Sequence, residues 1–305
     1  MRDTFVKTLL AKARQDRNIQ LVTGDLGFGV LKPYWEALPD QFINAGIAEQ
    51  NMMAMAAGMA LAGKTVVAYS IGNFPTLRCT EQIRNDCAYH NATVKIVCVG
   101  GGIVYGSLGM SHHATEDIAV MRALPNVTVL APSDAMEAEA VTKAMLDWPG
   151  TCYLRLGRGG EMPVREKIEN FAIGKALPVQ FGQDVAIFST GAIFSEVAKA
   201  RDILQSKGVT PTIYTFPTVK PLDGVTVKEC AGNHKLIVTM EEHSAFGGLG
   251  SAVAEIMAEH PGKAWLIRVG MNDRYSTEVG DQNYLRRRYG MDGETVAQRI
   301  LEALA

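Results

Sequence analysis

Residues 42–70, FINAGIAEQNMMAMAAGMALAGKTVVAYS, carry the pattern that decides the fold. A short apolar run is followed by a turn, a Met- and Ala-rich helical run (48–62) and a β-branched run, TVVAYS (65–70). Two apolar strands bracketing a helix are the sequence form of a parallel β-α-β unit. From Met52 to Ala60 the helix is apolar or small all round, so it is expected to be buried on every side. Gly58 inside it costs up to about 1 kcal/mol relative to Ala, which points to a close contact. Glu49 heads this run, and its spacing allows two readings. With Gly46 as N-cap, Glu49 falls at the third helical position, where it meets backbone N–H groups and the positive end of the helix dipole. Alternatively, the polar head Glu49–Gln50–Asn51 on a buried helix holds the heterocycle of a cofactor.

Outward from this unit the pattern repeats. IQLVTG (19–24), VKIVCVG (94–100), VTVLAP (127–132) and CYLRLG (152–157) read as short buried strands. Helical patterns at 3–17, 79–90, 114–123 and 134–147 separate them, which implies a parallel sheet covered on both faces. After Gly157 the chain turns rich in Gly, Pro and charge, and 166–182 reads as a linker that wraps rather than packs. A second run follows: DVAIFSTG (184–191), helix 192–207, TPTIYTF (210–216), HKLIVTM (234–240), helix 249–260, KAWLIRVG (263–270) and helix 293–304. The expected architecture is α/β, with two parallel-sheet domains at 1–165 and 183–305.

Across the 305 residues 20% are charged and the net charge is −2, which gives no electrostatic footprint for nucleic acid or an anionic membrane. LRRRYG (285–290) reads as a solvated basic turn. The longest apolar run, Met52 to Ala62, is too short to span a bilayer, and the mixed-charge start is unlike a signal peptide. Cys79, Cys87, Cys98, Cys152 and Cys230 form no CxxC pair and no zinc spacing. Their odd number fits reduced thiols, hence a cytoplasmic location. No HExxH or comparable metal spacing occurs, and no metal site is expected on this chain.

In order along the chain stand GDLGFG (24–29), the 42–70 segment, EQIRNDCAYHNATVKIV (81–97) and GSLGMSHHATEDIAVMRALPNVTVLAPSDAMEAEA (106–140). YLRLGR (153–158), VKPLD (219–223) and EEHSAFGGLGSAVAE (241–255) follow. Together they resemble the C-terminal half of transketolase over essentially the whole chain, with GIAEQN and HHATEDIAVMRALPN the distinctive parts. The resemblance implies thiamine diphosphate chemistry on a pyrimidine-binding domain followed by the transketolase C-terminal domain. It implies that Glu49 hydrogen-bonds the N1′ ring nitrogen of the cofactor's aminopyrimidine. A carboxyl in an apolar pocket has its pKa raised by desolvation, which would let it share a proton with that nitrogen. The helix dipole opposes this, so only deep burial would let desolvation win. The resemblance further assigns Phe74 to the face of the aminopyrimidine, Asp25 and Leu26 to the loop beside the cofactor, His112 to substrate and catalysis, and Arg2 and Arg158 to a terminal phosphate. By residue pattern alone, Phe74 is equally a core residue at a strand-to-helix junction, Asp25–Leu26 a strand-end turn and Arg2 a solvated terminus.

Departures from the family pattern bear on substrate and partners. Gly100 stands where sugar-phosphate transketolases carry a histidine, Leu108 where they carry an aspartate, and a glycine near Gly29 where they carry a serine. An apolar wall in place of a carboxylate leaves polyol hydroxyls unpaired, so a modified or branched sugar is the expected substrate. The GDG-type motif that holds the diphosphate and Mg²⁺ does not occur. SAFGGLGSAVAE opens a helix and reads either as an anion site or as tight backbone packing. The expectation is therefore an N-terminal-type partner subunit holding diphosphate and Mg²⁺, an α2β2 assembly with self-association through both domains, and ketol transfer between a ketose and an aldose. A 2-oxoacid dehydrogenase β subunit and an inactive scaffold subunit are the alternatives.

Overall fold

The computed structural model describes residues 1–305. Continuous runs of β-branched residues give strands with no solvent face. β1 (Ile19–Thr23), β4 (Val94–Val99), β5 (Val127–Leu130) and β6 (Thr151–Leu156) are buried at every position. With β2 (Phe42–Asn44) and β3 (Thr65–Ile71) they form a parallel sheet in the order β5-β6-β4-β3-β1-β2. Helices on the two faces close two cores. One packs Phe5, Leu9, Val141 and Met145 from helices Arg2–Ala13 and Ala135–Asp147; the other packs Met52, Met53, Ile118 and Met121. Fully burying one such side chain stabilises the fold by about 1.5–3 kcal/mol.

The second sheet runs β12-β11-β8-β9-β7. Its members are β7 (Leu177–Gln180), β8 (Val185–Ser189), β9 (Thr212–Thr215), β11 (Leu236–Ser244) and β12 (Trp265–Met271). All pairs are parallel except β7, which lies antiparallel on β9. The expected linker thus ends in an edge strand. It is also preceded by a tie: Arg165 pairs with buried Glu137 of the first half and reaches Thr215 Oγ1 at 2.9 Å.

One strand crosses between the halves. β10 (Thr218–Lys220) follows β9 but pairs antiparallel with β5, completing the first sheet at seven strands. Beside it a buried polar seam joins the domains. Arg155 of β6 donates to Asp117 (2.8 Å) and to the carbonyls of Ala114 (2.8 Å) and Glu242 (2.7 Å). Tyr153 Oη also donates to Asp117, and Glu242 pairs with Arg286. Arg286 is 4% exposed, so the basic run 285–290 is not a solvated face throughout: its first arginine is a buried tie. Arg288 remains outside and pairs with Glu278.

The decisive helix also departs from expectation. It runs Glu49–Leu61, with Ala48 as N-cap and no side-chain cap. Gly46 is not its cap, and Glu49 is the first helical residue rather than the third. Met52, Met53, Ala56 and Ala57 are buried, but Gln50, Asn51, Ala54, Gly58 and Leu61 face outward, with Leu61 59% exposed. A Cβ at Gly58 would touch nothing within 4 Å. The all-round apolar character therefore does not reflect burial within this chain, and Gly58 makes no close contact in it. No helix is long and apolar enough to cross a membrane.

The Gly-rich stretch of the second half resolves in favour of an internal anion. Glu241 accepts from the amides of Leu249 and Gly250, both at 2.8 Å, at the start of helix Leu249–Glu259. A Cβ on Gly248 would fall 2.1 Å from the Glu241 carboxylate. The helix terminus is filled by the protein's own side chain.

Candidate active site

Open parallel sheets bind ligands beyond the carboxyl ends of their strands, where strand order reverses. Here the reversal lies at β1, flanked by β2 and β3. The loops after β1, β2, β3, β4 and β6 carry every residue singled out by sequence except Arg2, which begins the first helix.

After β1, Asp25 adopts φ 54°, a conformation non-glycine residues seldom take. Asn44, from the end of β2, holds it there. Its Oδ1 accepts from the amides of Asp25 (2.9 Å) and Gly46 (3.0 Å), and its Nδ2 donates to Asp25 Oδ1 (3.0 Å). Gly24 lies against the start of the next helix: a Cβ there would meet Gly46 O at 3.3 Å and Glu49 Cγ at 3.9 Å. Leu26 and Asn44 line an apolar hollow of about 330 Å³ with Phe28, Trp35 and Phe42.

Glu49 is 9% exposed and forms one wall of a cleft of about 520 Å³ with Ile47, Ala48, Gln50, Asn51 and Arg78. Its Oε1 accepts from Arg78 Nη1 at 2.8 Å. The guanidinium carbon of Arg78 lies 4.0 Å from the centroid of the Phe74 ring, so one cation touches both the carboxylate and the aromatic face. Neither bland reading survives as stated: Glu49 does not cap backbone amides, and Phe74 is half-buried at the cleft rather than in the core. The expected apolar pocket is also more polar than foreseen, with Gln50, Asn51 and Arg78 at its rim. Beneath it, burial pushes the Cys79 thiol up to about 12, with the Glu49 charge adding and Arg78 opposing.

His112 stands edge-on to Phe74, ring centroids 5.4 Å apart, and its Nδ1 lies 3.0 Å from Ser111 Oγ. Asn73 Nδ2 donates to the Ser111 carbonyl (2.8 Å), tying the loop after β3 to the loop after β4. Buried His113 is held below the usual imidazole value, chiefly by burial. Leu108, on the same loop, is 55% exposed.

Tyr105 links His112 to the arginines. Its ring is 6.5 Å from His112 and 5.8 Å from the Arg158 guanidinium carbon. Burial pushes its phenol up, while the charges of Arg158 and Arg2 pull it down, which places both guanidinia near it. The ring also fills the space beside Gly100, where a Cβ would fall 2.1 Å from it. Glu49, Phe74 and His112 thus form one chain of contacts, His112, Tyr105, Arg158 and Arg2 continue it, and Asp25 and Leu26 approach from the β1 side. Arg78, Tyr105, Asn44 and Asn73 were not singled out by sequence. Only Gly100 gave a signal, since a glycine at φ 88° marks a close neighbour. All five cysteines are free and buried.

Against known proteins, the transketolase pyrimidine-binding domain matches residues 1–160 and the transketolase C-terminal domain matches residues 174–296. One of the two subunits of an apulose-4-phosphate transketolase from Phocaeicola vulgatus is 36% identical over 99% of this chain and 96% of its own length. A 6-deoxy-6-sulfo-D-fructose transketolase subunit from a Clostridium species is 33% identical over 99% of this chain and 94% of its own. A solved structure described as a split-gene transketolase, inactive beta4 tetramer, superimposes with a TM-score of 0.90 at 33% identity. It covers 99% of this chain and 97% of that one. With both domains present in order, this chain belongs to the transketolase family, as the half that carries its pyrimidine-binding and C-terminal domains.

Proposed function

We propose that this chain is the C-terminal-type subunit of a split, thiamine diphosphate-dependent transketolase. It moves a two-carbon ketol unit between a ketose and an aldose, and works only with a diphosphate-binding partner. The observation that carries the reading is the contact chain Glu49–Arg78–Phe74–His112 at the strand-order reversal. It presents a carboxylate, a flat aromatic face and an imidazole along one cleft.

The residues present fit an aminopyrimidine. Glu49 Oε1 has only the half-exposed Arg78 as donor, so exchanging it for a protonated ring nitrogen is cheap: an exposed pair contributes about 0–1 kcal/mol. Phe74 offers its ring to stack, and the Asp25–Leu26 loop, held by Asn44, closes the β1 side. Thiamine diphosphate, when bound, supplies the nucleophilic carbon and the electron sink for ketol transfer. Glu49 holds a proton at the pyrimidine nitrogen, which general acid–base catalysis makes worth about 10²–10⁴-fold. His112 hydrogen-bonds substrate oxygens near the reacting carbon. Arg158 and Arg2 anchor the far end of the sugar as an anion, which a guanidinium grips bidentately. Leu108 gives the wall no acceptor for sugar hydroxyls, which supports a modified sugar, as do relatives named for apulose 4-phosphate and a sulfofructose.

The diphosphate and Mg²⁺ fall to the partner in this reading, in an α2β2 assembly in the cytoplasm. The exposed helix face Ala54–Gly58–Leu61 and the relative described as an inactive beta4 tetramer support a chain that self-associates but lacks part of its site. Size-exclusion and a ketol-transfer assay with thiamine diphosphate and Mg²⁺ test this, on the chain alone and then with a diphosphate-binding subunit. Transfer is expected only with the partner, and transfer by the chain alone would sink the reading.

A further inference from the structure

We propose that Tyr105 is a specificity-determining residue, its phenol donating a hydrogen bond to the anionic end group, a phosphate or a sulfonate, of the ketose held beside Arg158 and Arg2. The kind of substrate rests on the ketol-transfer reading; the role of the side chain rests on its surroundings. The Tyr105 ring occupies a slot that exists because residue 100 is glycine: a Cβ there would lie 2.1 Å and 2.3 Å from two ring carbons. The ring is thus fixed between His112 at 6.5 Å and the Arg158 guanidinium at 5.8 Å, midway along the cleft from the reacting end to the anion end. Half-buried, it makes no hydrogen bond within the chain through its hydroxyl. Burial keeps that hydroxyl protonated at neutral pH, so it is a donor, and the charges of Arg158 and Arg2 both act on it.

A neutral O–H beside two guanidinia has nothing to accept its proton among them, since guanidinium carries donors only. The partner that satisfies all three is an acceptor-only group with several oxygens, which is what a phosphate or sulfonate is. With Leu108 bare of acceptors and 55% exposed, recognition of the sugar would rest on this end group more than on the hydroxyls between.

Tyr105→Phe keeps the ring in the Gly100 slot and removes only the hydroxyl. The test uses the holoenzyme assembled with its partner, thiamine diphosphate and Mg²⁺. Calorimetric titration with inorganic phosphate and with methanesulfonate should show the phenylalanine variant binding at least one of them about tenfold more weakly, the effect of one hydrogen bond to a charged group. Which anion is affected tells the two end groups apart. With fructose 6-phosphate and fructose as paired donors, the variant's KM should rise for the phosphorylated sugar alone, with kcat unchanged. Wild-type affinity of the variant for both anions, with binding lost in Arg158→Ala, would overturn the proposal and leave Tyr105 a wall. If the wild-type complex transfers no ketol unit from either sugar, the ketol-transfer reading is what fails, and the two titrations still decide Tyr105.

Discussion

Each half of the molecule sets a glutamate at the start of a helix, beside glycines, and the two are treated in opposite ways. Glu241 is 1% exposed, and its two carboxylate oxygens are each taken by a backbone amide of helix Leu249–Glu259. Glu49 accepts from one side chain, Arg78, which is itself half exposed. A buried carboxylate whose acceptor capacity is met by its own fold is scaffold. One whose partner is a long, half-exposed side chain at a cleft rim is available to a ligand. The same local sequence device is structural in one domain and chemical in the other.

Exchanging the two roles is the most severe test. Glu49→Gln should cut ketol transfer of the assembled enzyme by about 10²–10⁴-fold and leave the urea unfolding midpoint unchanged. Glu241→Gln should do the reverse, holding activity while destabilising the fold by about 1–3 kcal/mol, because a second helix amide loses its acceptor. Equal effects of both on stability would erase the contrast.

The ion pairs offer the same contrast at smaller scale. Arg155→Ala strands Asp117 in the seam and should cost about 3–5 kcal/mol in denaturant unfolding. Arg78→Ala, at the rim, should cost about 0–1 kcal/mol.

Two glycines sharpen it further. Gly248→Ala drives a methyl into the Glu241 carboxylate and should destabilise by about 1–3 kcal/mol. Gly58→Ala meets open space in a helix interior and should stabilise the isolated chain by up to about 1 kcal/mol. If the outward face of that helix is covered in the assembly, the same variant weakens subunit association, read by size-exclusion against concentration.

The smallest effect concerns pH. Burial holds His113 below 6.5, so the unfolded chain takes up a proton that the native imidazole resists. Its contribution to stability is therefore complete above about pH 6.5 and is lost as pH falls through that value toward the lower native one. His113→Gln should flatten the acid limb of the stability–pH curve between about pH 6.5 and 5.

The strands were legible because fully buried parallel strands need unbroken β-branched runs, and VKIVCV or CYLRL can be little else. Glu49, Phe74 and His112 were legible through the distinctive motifs around them. What the motifs did not carry was set by long-range geometry. Nothing near position 78 in the sequence says that its guanidinium reaches across 29 residues to Glu49. Glu241 sits eight residues before the amides it fills, on a strand, where no capping pattern looks. The 79–90 segment reads as α-helical, yet Ile83–Ala88 is a π-helix, a wide turn that consumes more residues than an α turn while keeping a similar apolar face. The outward face of helix Glu49–Leu61 was misjudged because periodicity measures what is apolar and not what is covered, and that face is apolar without being covered by this chain.

The loan of β10 to the first sheet has a practical corollary. Cutting the chain between its halves would not release two free-standing domains. It would strip β5 of its neighbour and expose a row of unpaired backbone N–H and C=O groups along a flat hydrophobic strand, a template for edge-to-edge aggregation. The first domain is therefore a unit in sequence only; as a soluble object it is finished by residues that arrive some sixty positions after its last own strand ends at Leu156.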